Sequence, residues 1–114
     1  MMSYEYDSEN SVIHLKASGT LKPKDPINYF KEIDNDPVFR PKAEERIYFT
    51  ELDDIEFKFT DVLMIRDAFE KYGHGEKITH GVFIVDSDLS LGMANMVVTL
   101  FDDVFKNFTI KRTD

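Results

Sequence analysis

Apolar residues recur at period two near the start of the chain and at helical spacing further on, and these changes of period divide it into elements. SYEYD (3–7) and SVIHLKASG (11–19) alternate, with Ile13, Leu15 and Ala17 on one face and Ser8-Glu9-Asn10 between the two stretches, which predicts a β-hairpin. In LKPKDPINYFKEIDNDP the apolar positions Ile27, Phe30 and Ile33 form a helical stripe, with Asp25 as N-cap, Pro26 at the first helical position and Pro37 beyond the end. Residues 35–45 read as a polar loop, and RIYFTEL (46–52) reads as a buried strand.

The second helix has the strongest pattern. Val62, Ile65, Phe69 and Tyr72 fall at helical spacing, Thr60 stands as N-cap, Asp61 lies in the first turn and Gly73 is the stop. ITHGVFIVD (78–86) is a continuous apolar run, as expected of a central strand covered on both faces. Leu89, Met93, Met96, Val97, Leu100 and Val104 predict a third helix, and VFKNFTIKRTD (104–114) a closing strand. The order is ββαβαβαβ. That is an α/β fold with one mixed, mostly parallel sheet, an N-terminal hairpin and three helices. Ligands on such sheets sit beyond the carboxyl ends of strands, so Thr50, Glu51, Thr60, Asp61, Asp86, Ser87 and Asp88 are expected near one rim.

Composition narrows the function. A chain of 114 residues, 42% hydrophobic with ten Phe, is enough for one core and reads as a single domain over residues 1–114. Fourteen Lys plus Arg against 22 Asp plus Glu leave a net charge of -8, which disfavours nucleic acid and anionic membrane surfaces as partners. Without cysteine there is no disulfide, thiolate zinc site or cysteine nucleophile. MMSYEYDSEN lacks a basic region followed by an apolar segment, and no stretch approaches the roughly 20 apolar residues of a membrane helix. A cytoplasmic location without membrane insertion is the expectation.

Three stretches raise chemical questions. FIVDSD, an apolar strand ending in D-x-D, is similar to the nucleophile motif of haloacid dehalogenase-type phosphatases, with Asp86 and Asp88 as the two carboxylates. That chemistry also needs a lysine and further carboxylates around magnesium. Asp86 and Ser87 at a strand end, with Ser87 or Asp88 capping the next helix, account for the same letters. GHGEK (73–77) follows a helix and lacks G-K-[ST], so it reads as a C-cap and turn rather than a phosphate loop. His14, His74 and His80 have no metal-ligand spacing and read as structural or solvent-facing. Neither a catalytic set nor a metal site nor a cofactor is expected. In IEFKF (55–59), Ile55, Phe57 and Phe59 share one face just before Thr60 and either seal the core or form an apolar patch for a partner protein.

The succession of hairpin, SGTL, helix, strand, LDDIEFKFTDVLMIRDA, strand, helix and strand is similar to the SpoIIAA-like domains of the STAS superfamily over most of the chain. Those domains resemble this segment in having a strand, a short loop and a helix start of the form D-S-S-G-L, whose serine a partner kinase phosphorylates. The matching stretch here is FTDVL, with Thr60 and Asp61 in the serine places and Val62 in place of glycine. Asp61 thus supplies a permanent carboxylate where the related switch gains charge on phosphorylation. Such domains often add a carboxy-terminal helix, so one sheet face is expected to be less covered or to be covered by another chain, as in a homodimer. The leading reading is a non-catalytic regulatory or interaction domain binding a protein partner through Phe57, Phe59, Thr60, Asp61, Ser87 and Asp88. The alternative is a carrier of a small apolar ligand or lipid in a pocket between sheet and helices, and a metal-dependent phosphatase ranks last.

Overall fold

The alternation of Ile13, Leu15 and Ala17 continues in space as a row of fully buried side chains on β2 (Val12–Leu21), which pairs antiparallel with β1 (Met2–Asp7). The computed structural model describes residues 1–114. After the hairpin come α1 (Lys24–Asp34), β3 (Ala43–Ile55), α2 (Phe59–Lys71), α3 (His74–Lys77), β4 (Ile78–Val85), α4 (Asp88–Leu100) and β5 (Phe108–Arg112). The strands lie in the order β1-β2-β3-β4-β5, and every pair after the first is parallel.

That order decides where the helices go. Right-handed crossovers that all step the same way place their helices on the same face of the sheet. Burial follows suit: on β4, Gly81, Phe83 and Val85 are buried while Val82 and Ile84 between them are only half-buried. The expectation of a central strand covered on both faces is therefore corrected. Val82 and Ile84 make the apolar run look continuous, but they share an uncovered face with polar side chains of the neighbouring strands. There His14 Nδ1 lies 2.9 Å from the Tyr48 hydroxyl, Lys16 pairs with Glu51 at 3.1 Å, and Glu44 accepts from Arg46 and His80, each at 2.8 Å.

The covered face is an aromatic core. Phe49 and Phe83 meet edge to face at 5.2 Å, Phe30 meets Phe69 at 5.4 Å, and Phe105 stacks on Phe108 at 4.7 Å. Gly81 is needed beneath that stack, because a Cβ there would stand 2.1 Å from the Phe108 ring. Gly73 ends α2 with φ +59°, a left-handed conformation that glycine adopts without strain.

Several boundaries differ from expectation. Helix α1 has Pro23 rather than Asp25 at its N-cap, because the Asp25 carboxylate reaches back to accept from the Lys22 N–H at 2.9 Å from inside the first turn. Pro26 is consequently the third helical residue. The loop expected over residues 35–45 is shorter, for β3 already begins at Ala43. GHGEK adds a single turn, α3, to the expected C-cap. Helix α4 stops at Leu100, and Val104 lies in the turns that precede a strand beginning only at Phe108.

The early start of β3 places a carboxyl group inside the core. Glu45 is in phase with Ala43, Ile47 and Phe49 and is 3% exposed. Its Oε2 accepts from the Tyr29 hydroxyl of α1 and lies 2.7 Å from Nε2 of His74, itself 1% exposed. Burial first, then the charge and hydrogen bond of Glu45, hold the Tyr29 phenol protonated well above its ordinary range. Glu45→Ala should lower the unfolding free energy by about 3–5 kcal/mol, since it strands two buried polar partners; a loss below about 1 kcal/mol in urea denaturation would refute that role. Because the raised Tyr29 value favours the protonated folded state, its contribution is intact below about pH 10 and is lost as pH rises further. A phenolate absorbance titration of wild type minus Tyr29→Phe should accordingly contain no step near pH 10, and such a step would contradict the buried hydrogen bond.

Candidate functional site

Two helices start where β3 and β4 end, and the local sequence builds each start differently. At α4, Ser87 is the N-cap: its Oγ accepts from the Ser90 N–H at 3.0 Å, and Ser90 Oγ accepts from the Ser87 and Asp86 N–H groups at 3.1 and 3.0 Å. This reciprocal arrangement satisfies main-chain donors that a helix start leaves free. Asp88, in the first turn, accepts from Arg112 of β5 at 2.9 Å, which ties the helix to the edge strand. The caps at this junction are the two serines, and the flanking aspartates have other contacts, Asp86 with the Ser90 hydroxyl at 3.4 Å and Asp88 with Arg112. No group of three His, Cys, Asp or Glu side chains comes together anywhere in the chain in a way that could hold a metal ion.

At α2 the cap is not Thr60. Lys58 occupies the N-cap position, and Asp61, three residues on, accepts from its N–H at 2.8 Å. Lysine has no acceptor to offer, so the carboxylate closes the turn from inside the helix, where the dipole also favours it. Phe59 and Thr60 become the first two helical residues, and both are exposed.

The aromatic pair of IEFKF divides. Phe57 is half-buried and meets Phe101 edge to face at 6.5 Å, sealing the core. Phe59 is 79% exposed and is followed along α2 by Leu63 and Met64, both also exposed. Thr50 and Glu51 lie within β3 rather than at its end, because that strand outruns β4 and continues to Ile55 paired with β2 alone. No hydrogen bond or ion pair joins the group Phe57, Phe59, Thr60 and Asp61 to Ser87 and Asp88. The rim is two helix starts, not one convergent cluster.

Two cavities bear on ligand binding. Between sheet and helices lies an interior space of about 50 Å³ lined by Leu15, Phe30, Ile65, Phe83 and Phe101, with Tyr29 and Glu45 at its wall. Drug-sized ligands occupy roughly 300–1,000 Å³, so an apolar guest would have to part the helices from the sheet. The larger cleft, about 470 Å³, lies at the other end of β4 and is lined mainly by polar residues, among them Glu70, Thr79, His80, Asp103 and Asn107. His74 also lines it, and its Nδ1 has no hydrogen-bond partner.

No family model matches the sequence, and no curated protein matches it closely enough to count as a relative. Among solved structures, the chain is similar to an uncharacterized protein of the DUF3478 family from Shewanella loihica PV-4, described as having a SpoIIAA-like fold. The match has a TM-score of 0.59 at 17% identity and covers 97% of this chain and 84% of that one. The fold is thus SpoIIAA-like, as the succession of elements in the sequence implied. No helix is long and apolar enough to cross a membrane.

The caps give a sharp expectation for stability. Ser87→Ala and Asp61→Ala should each cost about 1 kcal/mol through loss of a cap. Thr60→Ala should stay within about 0.5 kcal/mol of wild type, as for other exposed surface sites. Equal losses for Thr60→Ala and Asp61→Ala in urea denaturation would return the cap to Thr60.

Proposed function

We propose that this chain is a non-catalytic regulatory or interaction domain that docks a partner protein on the rim around the start of α2, with Phe59 at its centre and Ser87 and Asp88 at its margin. The observation that supports the reading is the exposed pair Phe59 and Leu63 along one helix, flanked by exposed Met64. Single exposed apolar residues are ordinary surface, whereas several side by side mark an interaction site. Phe59 and Leu63 are four residues apart and so lie on the same side of α2, while Met64 flanks that pair on the adjoining face.

The competing readings have less support. For a phosphatase, Asp88 is paired with Arg112, the Asp86 carboxylate has only the Ser90 hydroxyl at 3.4 Å, and no third carboxylate joins them. For an apolar carrier, the interior space of about 50 Å³ is far smaller than its cargo.

Phe59→Ser tests the proposal, because the side chain is free of the core and its loss leaves the fold intact. Asp61 is a poorer probe, since it also closes the helix start. Immobilised wild-type chain should retain a partner from lysate of its own organism that Phe59→Ser loses and that Lys16→Ser, on the uncovered sheet face, keeps. Retention of the same proteins by all three would remove Phe59 from the docking surface.

A further inference from the structure

The exposed ridge of α2 carries opposite charges at its two ends. Phe59, Leu63 and Asp67 recur at intervals of four and all three are exposed, so they form one ridge along the helix. Lys58 stands exposed immediately before Phe59 at the start, and Glu70 is exposed close behind Asp67 at the far end. Lys58, Asp67 and Glu70 form no ion pair within the chain. The other charges of α2 are engaged: Arg66 pairs with Asp103, Lys71 lies 5.3 Å over the Tyr72 ring, and Asp61 accepts from the Lys58 N–H. A free cation, two exposed apolar side chains and free carboxylates thus follow one another along about 20 Å of helix.

From this we infer that α2 pairs antiparallel with α2 of a second copy of this chain, in an isologous dimer whose two-fold axis passes beside Leu63. The assignment rests on the docking role proposed above and names the partner. Turned end for end, the ridge is its own complement. Positions equally far on either side of Leu63 face each other, which lays Phe59 of each copy against the other ridge and sets Lys58 beside Asp67 of the partner subunit. Ridges built from residues four apart interdigitate in this way in the commonest class of helix packing. The two-fold axis makes the ion pair twice. A parallel pairing would instead set Lys58 against Lys58 and Asp67 against Asp67, a like-charge juxtaposition that opposes docking. Nucleic acid and anionic bilayers are opposed by the net charge of -8. Between two copies that repulsion is screened beyond about 8 Å at physiological ionic strength, so the local pairing of opposite ends decides.

Sedimentation equilibrium of the full chain at physiological salt should show monomer giving way to dimer between about 1 µM and about 1 mM. Phe59→Ser/Leu63→Ser should weaken the dimer at least about tenfold. Lys58→Asp and Asp67→Lys should each weaken it at least about threefold, because each sets like charges together twice. Mixed with one another, Lys58→Asp and Asp67→Lys should form a dimer at least about threefold tighter than either forms alone, since both cross pairs then join opposite charges. That crosswise mixture decides alone if Phe59→Ser/Leu63→Ser loses its far-UV circular dichroism. A chain that stays monomeric throughout the range overturns the assignment, as does a dimer indifferent to a folded Phe59→Ser/Leu63→Ser or a mixture no tighter than its components. If lysate capture of a different protein stays sensitive to Phe59→Ser while the chain itself stays monomeric, the docking role stands and the self-pairing falls.

Discussion

The Glu45 carboxylate is the point at which α1, β3 and α3 are held to one another. It accepts from Tyr29 and lies within hydrogen-bond reach of His74, all three nearly inaccessible to solvent. Taking a carboxyl group out of water is unfavourable by several kcal/mol, and only the two partners make its position tolerable. The aromatic faces of Tyr29, Phe30 and Phe69 enclose His74, so the polar cluster also fixes how α1 and α2 pack. Displacing any of these elements would uncover a polar group with no alternative partner. The arrangement selects one packing of helices on sheet over others that an all-apolar interior would permit.

Away from that cluster, the start of α2 exposes apolar surface. Asp61 from inside the first turn and Ser87 from the cap position complete their helices, using only local backbone donors. Phe59 and Thr60 are thereby relieved of any capping duty and point away from the core. The division of labour within five residues is sharp: Phe57 closes the core, Lys58 begins the helix, Phe59 faces outward and Asp61 holds the turn.

Much of the fold was legible because it is written in local periodicity. The hairpin, the three main helices, the parallel strands and the SpoIIAA-like succession all follow from residues close together in sequence. Contacts across long separations were not legible. Tyr29 and Glu45 are 16 residues apart, and Glu45 and His74 are 29 apart. One signal was available: Ala43, Glu45, Ile47 and Phe49 continue at period two, which extends the strand backwards and turns Glu45 inward. The uncovered face is not legible because Val82 and Ile84 give β4 apolar residues on both sides. Thr60 misled because its residue type is a good cap, whereas the cap at Lys58 depends on the side chain three positions later. At the candidate site, the residues flanking both helix starts could be named from the sequence, but not that Phe57 and Phe59 take opposite orientations.

The strand order has a consequence for how the chain comes to be folded. Because space order repeats chain order, each new strand adds at the edge just completed and never has to insert between two that already pair. Each helix-and-strand unit after the hairpin therefore meets a template strand that precedes it directly in the chain. Glu45 is the one interior polar group that must await a residue made much later, His74. Until α3 has been made, the core face of the sheet carries a carboxyl group that lacks one of its two partners, which disfavours closing the helices over it early.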